Sequence, residues 1–249
     1  MKFTGCKFRR CSFSTARFED VQFIDCTWQE IGISSGEMHF KGVLITNPEE
    51  FVASAYTNLD RDTLAQRSTT PEHQKYRLEG TKAKVARTIL SNLQGLYDDR
   101  AYYRSVKTYA RQTLISRIAD SSYLANHERI GLRKIWHIGA ASALRLELTV
   151  LTLSGQVNEW GRSIGRALMV GFAIVVAFWI IYWLLGAHSP GSNLLASVEI
   201  TLLFGYTKYA SIASDLRLQV LECVNAFFGL WWYAVLVPTI VNRISRVHG

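Results

Sequence analysis

The sequence contains none of the short motifs that carry common catalytic chemistry. It has no HExxH, no P-loop, no GxGxxG and no nucleophile elbow. Its histidines, His39, His73, His127, His137, His188 and His248, are scattered along the chain. An enzymatic role is therefore not expected, and neither is a cofactor or a resident metal. Cysteine is scarce as well. Cys6, Cys11, Cys26 and Cys223 form no CxxC pair, which excludes a disulfide framework and points to small buried thiols in a reducing compartment. A zinc site drawn from the three N-terminal cysteines is the minor alternative. No Lys/Arg tract dominates despite a net charge of +8, so no nucleic-acid partner is expected. The opening "MKFTGCKFRR" lacks an apolar h-region, so no secretory signal is expected there.

What is present is unevenly spread. Residues 1–166 hold 24 of the 28 Lys and Arg and 17 of the 20 Asp and Glu. The remainder carries only Lys208, Arg217, Arg243, Arg246, Glu199, Asp215 and Glu222. A charged portion thus precedes an apolar, aromatic-rich one, the pattern of a multi-domain membrane protein.

Written in fives, the start reads MKFTG CKFRR CSFST ARFED VQFID CTWQE IGISS. The third position is Phe3, Phe8, Phe13, Phe18, Phe23, Trp28 and Ile33, and the first runs Cys6, Cys11, Ala16, Val21, Cys26 and Ile31. Neither a helix nor a strand has a period of five. A square-sectioned β-solenoid with one pentapeptide per side does, with a large and a small residue inward on each side. This pattern resembles the pentapeptide-repeat family, which implies a right-handed quadrilateral β-solenoid over residues 1–46. Met38 and Val43 are read as keeping the phase. Such a short solenoid must have its ends covered, with a neighbouring subunit as one candidate. Its expected role is scaffold or interaction surface.

Asn47-Pro48 ends the repeat, and Thr70-Pro71-Glu72 is a helix start. Tyr76, Val85, Ile89, Leu93 and Leu96, then Tyr102, Val106, Tyr109, Leu114 and Ile118, recur at helical spacing around a turn near Gly95. Residues 47–134 thus read as a cytoplasmic helical hairpin, similar to a single tetratricopeptide-like unit. It must dock on the solenoid, the membrane or another chain. Lys82, Lys84, Arg87, Arg104, Lys107 and Arg111 are assigned to a solvated face, with a phosphate or headgroup site as the alternative. Residues 135–162 are apolar but contain Arg145 and Glu147. An interfacial or linker helix is preferred there over a third span, because a mid-membrane Arg costs roughly 2.5–3.5 kcal/mol.

The last portion, 163–249, contains two runs long enough to cross a bilayer, 164–187 and 217–241. Arg162 and Arg166 precede the first and Arg243 and Arg246 follow the second, placing both termini in the cytoplasm. Glu222, Asn225 and Gly229 stand at i, i+3 and i+7, a polar stripe continued by Trp232, Tyr233 and Leu236, with Pro238 able to kink the inner end. Such a stripe faces a bundle interior or a water-filled cavity. The alternatives for it are helix-to-helix glue at Asn225 and an interfacial Glu222. Between the spans, 194–204 is apolar but too short to cross, as in a re-entrant pore helix followed by irregular backbone.

Ser197-Val198 followed by Phe204-Gly205-Tyr206 resembles the two-span pore module of the potassium-channel superfamily, whose text is S-V-x-T-x-T-T-V-G-Y-G-D. The resemblance covers roughly 164–246. It implies a filter at Leu203, Phe204, Gly205, Tyr206 and Thr207, supported by Ser197, Glu199, Thr201 and Lys208. It also implies pore-lining or gating roles for Glu222, Asn225, Gly229, Tyr233, Leu236 and Pro238. Metal contact would be limited to transient cations in the filter. Leu203, Phe204 and Thr207 replace the family's Thr, Val and second Gly, and Thr resists a conformation that Gly allows. A Glu199–Lys208 pair would tie the pore helix to the outer mouth.

The order of repeats, hairpin and pore module resembles a bacterial inner-membrane architecture. The expected function is a homo-oligomeric, tetrameric pore-loop cation channel with a degenerate potassium-type filter. Its partners would be the bilayer, its own copies, a permeant K+ or Na+, and an unidentified cytoplasmic regulator. The alternative is a non-conducting membrane-anchored scaffold, or a triggered membrane-damaging effector.

Overall fold

The computed structural model describes residues 1–33, 38–57, 71–93, 98–128, 131–187, 189–204, 209 and 215–247. The chain divides into two units, Met1–Leu153 and Ser154–Gly249. Among the described residues there are nine short strands and seven α-helices.

The first unit begins with strands β1 (Lys2–Thr4), β2 (Lys7–Arg9), β3 (Arg17–Glu19), β4 (Gln22–Ile24), β5 (Thr27–Gln29), β6 (Ile31–Ile33), β7 (His39–Lys41), β8 (Leu44–Ile45) and β9 (Ala55–Thr57). Every pairing is parallel. Phe3 stands on Phe23 and Phe8 on Trp28, each twenty residues or four fives apart. The five-residue step has a backbone cause. Three residues extend, and the chain then turns through a residue in the left-handed region: Gly5, Arg10, Asp20, Asp25 and Glu30, with φ between 49° and 63°. Inside, like rings stack on like, with Phe3 and Phe23 at 5.3 Å and Phe8 and Trp28 at 4.8 Å. The small first positions fill the space between them, and Cys26 and Ile31 are fully buried. Cys6 and Cys11 are half-buried free thiols. Burial pushes the Cys26 thiol above its usual range, which keeps it protonated and inert. Among the described residues, no group of three or more His, Cys, Asp or Glu is placed to hold a metal.

The repeat departs from strict fives after Ile33. Phe18 pairs with Phe40 and Phe23 with Ile45, a separation of 22 rather than 20. Two extra residues therefore enter between Ile33 and His39. The inward third positions are Phe40 and Ile45, not Met38 and Val43. Val43 is nevertheless buried, at a first position. The parallel ladder also runs beyond residue 46, since β9 pairs with β6.

The exposed end of the strand stack is covered by the chain itself. Helix α1 (Pro48–Ser54) starts on a proline, and its Phe51 is 0% exposed, with its ring 4.9 Å from Trp28. Asn47 latches this lid. Its Nδ2 donates to the Cys26 carbonyl and, at 2.9 Å, to Glu50, while its Oδ1 accepts from Trp28 Nε1 at 3.1 Å. No neighbouring subunit is required for that cover.

Helices α2 (Pro71–Leu93) and α3 (Asp99–His127) pack along each other. Of the three docking options, the structure takes the strand region: Val85, Ala86, Ile89, Leu93 and Ala101 share its core. The apolar stripe expected on α3 is mostly half-buried. Its closest-packed face is instead Ala101, Ser105, Thr108 and Gln112. Two of the cations assigned to solvent belong to the docking surface. Arg104 donates to the Thr46 carbonyl at 3.0 Å and lies 3.9 Å from Glu49. Lys82, its side chain 12% exposed, reaches the Ala53 carbonyl at 3.5 Å. Helix α4 (Leu132–Asn158) follows, burying Ala141 and Leu144 and leaving its other face open.

In the second unit, residues 159 and 160 both have positive φ and break the helix ahead of α5 (Ile164–Leu184). Ser163 caps α5 through the Arg166 amide, and Arg166 pairs with Glu159 at 2.6 Å. Then come α6 (Pro190–Thr201) and α7 (Leu216–Val247). Helices α5 and α7 are long and apolar enough to cross a membrane. Their outer faces carry exposed Phe172, Trp179, Trp183, Phe227 and Leu230. Their shared interior holds Glu222, Asn225 and Thr239, all 0% exposed. Polar groups inside and apolar groups outside is the distribution that hydrocarbon surroundings favour.

Candidate functional site

Helix α6 spans twelve residues, too short to cross a bilayer at about 1.5 Å per residue. It begins four residues before the apolar run because Ser189-Pro190 is itself a start signal and its first turn is polar. One face, Asn193, Ala196, Ser197, Ile200 and Thr201, is buried at spacings of 3, 1, 3 and 1. That face lies against α5 and α7 of the same chain.

Three polar side chains fasten it. Ser197 Oγ donates to the Val175 carbonyl of α5 at 2.7 Å. Thr201 Oγ1 donates to Asn225 Oδ1 at 2.8 Å, and Asn225 Nδ2 donates to the Tyr182 hydroxyl at 3.1 Å. This relay joins α6, α7 and α5 through groups fully withdrawn from solvent. Each such bond contributes about 1 kcal/mol net, but a buried partner left unmade costs about 1–3 kcal/mol. At Gly229, α7 touches α6 backbone to backbone. A Cβ there would collide with the Thr201 carbonyl oxygen and stand 3.0 Å from its carbon. Gly171 of α5 serves likewise under the Trp232 ring, whose Nε1 donates to the Ala167 carbonyl at 2.7 Å. Lower down, Asn158 donates to Thr239 at 2.7 Å and Trp231 to Ser154 at 3.2 Å.

The end of α6 has a defined geometry. The Phe204 amide returns to the Glu199 carbonyl at 2.9 Å, and the Leu203 amide to the Ile200 carbonyl at 3.0 Å. Leu203 itself has φ +62°. This is a Schellman closure with leucine in the left-handed place that glycine usually fills. The strain, on the order of 1–2 kcal/mol for an L-residue, sits at the first of the expected filter positions. Leu203 is 40% and Phe204 82% exposed. The expected filter residues Gly205, Tyr206 and Thr207, and the support residue Lys208, lie outside the described residues.

Glu199 has a partner beyond the stretch in which one was expected. The Tyr209 hydroxyl donates to its carboxylate, and the phenol is pushed up to about 12 by burial, by that bond, and by the charges of Glu199 and Glu222. Tyr209 thus ties the segment after the filter positions back to α6. The α7 stripe is placed as follows. Glu222, Asn225, Gly229, Trp232 and Leu236 are buried within the chain's own helices, and Tyr233 is half-buried with its ring 5.0 Å from Trp232. Pro238 is exposed, and α7 continues through it. In one chain this stripe is a packing face.

Trp179, Tyr182 and Trp183 read in the sequence as interfacial aromatics at the far end of the first run, but Tyr182 is fully buried and answers Asn225; Asn193, Tyr209 and the Gly171–Trp232 contact were missed. A signal existed for the last, since a lone glycine amid bulky residues of a span marks a close approach. Comparison of the chain with protein-family models, with curated proteins and with solved structures returns no match.

Proposed function

We propose that this chain is one subunit of a homo-oligomeric, tetrameric pore-loop cation channel, with α6 as its re-entrant pore helix. The carrying observation is the seating of α6. A helix half the length of a span is held between two membrane-length helices by buried polar bonds, and it ends in a strained exposed turn. The negative end of its dipole, at Leu203 and Phe204, favours cations there. One such helix cannot enclose a pore, so several copies are needed. Residues 203–207 form the filter, altered from the potassium-type text. The buried α7 stripe seats α6.

The N-terminal stack is read as a pentapeptide-repeat solenoid that scaffolds the cytoplasmic side, with both termini cytoplasmic in a bacterial inner membrane. Its parallel pairing on four sides, at a twenty-residue separation on the first three and wider beyond them, supports that reading. The test is planar-bilayer recording of the purified full-length chain under varied voltage, pH and cation. The expected result is cation-selective unitary current that Asn225→Leu abolishes. Silence equal to empty bilayers overturns the reading in favour of a membrane-anchored scaffold. Dye uptake by cells expressing the chain, without unitary current, overturns it in favour of a membrane-damaging effector.

A further inference from the structure

Helix α4 has one face packed within its unit and one face open. The open face carries Leu132, Ile135, Trp136, Ile138, Leu146, Val150 and Leu153, exposed between 45% and 85%. A globular helix rarely leaves so long an apolar row in water. The spacing along it is specific. Leu132, Trp136, Gly139, Ala143, Leu146, Val150 and Leu153 follow one another at 4, 3, 4, 3, 4 and 3 residues. This is a strict seven-residue repeat kept for three heptads, with Trp136, Ala143 and Val150 at a and Leu132, Gly139, Leu146 and Leu153 at d. Ile138 and Ile135 are the exposed large side chains that fall off it. On a straight helix such a row drifts about 20° per heptad, so it stays in contact only with another helix that coils around it. A flat bilayer surface imposes no period of seven.

We infer that the open face of α4 is a parallel coiled-coil seam that joins copies of this chain. The surface already has the shape of the socket. In a coiled coil each knob enters a hole of four residues on the facing helix. For a knob at Trp136 in a parallel pair, those four are Leu132, Ile135, Trp136 and Gly139. The same four line a single open hollow on α4, with Ala140, Ala143 and, at an e position, Arg133 at its margin. Gly139 beside Ala143 provides depth for the neighbour's indole. Ile135 at g and Ala140 at e widen the apolar strip beyond what two strands need, which suits more than two helices. Burying this row removes on the order of 500 Å² per copy, or about 1,000 Å² per pair, which reaches the lower range of specific interfaces. The parallel direction rests on the proposed membrane orientation, in which every copy enters the bilayer the same way. The seam itself follows from α4 alone.

The experiment uses the full-length chain in its native membrane, with all four natural cysteines retained as background. Leu146→Cys, at d, is expected to cross-link between copies with a short bifunctional maleimide at least about tenfold more than Arg145→Cys, at c on the same turn. Equal yields at the two positions overturn the seam. As a second readout, an environment-sensitive fluorophore is attached to the thiol of the Leu146→Cys variant and compared in vesicles with and without brominated lipid. The signal of the identically labelled unsubstituted chain is subtracted. Protection from quenching supports the helix-to-helix contact. Strong quenching overturns it and assigns the face to the bilayer surface. Cross-linking without current would sink the channel reading and leave the seam standing. Current without cross-linking would do the reverse.

Discussion

Replacing Gly229 by alanine adds one methyl group at the tightest contact in the second unit. That methyl would overlap the Thr201 carbonyl oxygen and lie 3.0 Å and 3.1 Å from the Thr201 carbonyl carbon and Cα. Carbon atoms rest at about 3.5–4.0 Å, so α7 must retreat by roughly 0.5–1 Å. The obstacle is backbone, which cannot swing aside as a side chain would. Overpacking of this kind costs about 1–3 kcal/mol. The retreat also stretches the 2.8 Å bond between Thr201 and Asn225 in a buried site, adding about 1–2 kcal/mol. Alanine's better helix propensity returns about 1 kcal/mol. The net loss is about 1–4 kcal/mol, or about 2–16 °C in the unfolding midpoint for a chain of this size. Thermal unfolding of the purified protein, followed by tryptophan fluorescence, measures it. Gly165→Ala, where a Cβ meets nothing within 4 Å, is the matched control and is expected to show no loss. If the two variants unfold together, α7 does not touch α6 at Gly229 and the seating described for α6 is wrong.

Leu203→Gly places the residue that a left-handed helix end prefers, and is expected to raise stability by about 1 kcal/mol in the same assay. A drop would show that the Leu203 side chain contributes more than its backbone costs. Tyr209 gives the structure a specific alkaline weakness. Its folded-state value of about 12 lies above the ordinary 10 for tyrosine, so the folded chain holds the proton longer. The stability it provides is full below pH 10 and is lost as pH rises through 12, and Tyr209→Phe should flatten that fall. An unchanged alkaline profile would contradict the bond to Glu199. Phe51→Ala opens the lid over the strand stack, with an expected cost of about 3–5 kcal/mol. Hydrogen exchange should rise across β2 and β5 and stay constant in α5 and α7. Equal rises in both units would refute the independence of the lid.

The period of five was legible because every third-position side chain up to Trp28 is aromatic. It ceased to be legible at Ile33 because Met38 and Val43 are apolar too. Both phases then carried a plausible inward residue, and only pairing could choose Phe40 and Ile45. The lid was missed for a different reason. Seven residues are too few for periodicity, and Asn47-Pro48 reads as a break even though Asn47 is the latch. On α3, hydrophobicity misdirected the reading: helices approach most closely over small and short polar groups, here Ala101, Ser105 and Thr108. The polar stripe of α7 was correctly seen as facing inward. Periodicity shows which side of a membrane helix avoids lipid, but it carries no information on whether that side meets water or a neighbouring helix. Tyr182 and Thr201, the groups that answer Asn225, lie 43 and 24 residues away and belong to no common motif.

The lid also makes the strand stack asymmetric in how it can grow. A block of twenty residues inserted ahead of β1 would add one complete layer, with each ring falling on its like and each ladder extended in line. A block of five there would add one side, a quarter of a layer, with its ring still inward. On the far side no strand can be stacked on β5, because α1 and Asn47 close that position against Trp28 and Cys26. The stack is therefore a ruler with one fixed end. Its length sets how far its outermost layer stands from the docked pair α2 and α3, in steps of about 5 Å, the spacing between neighbouring strands.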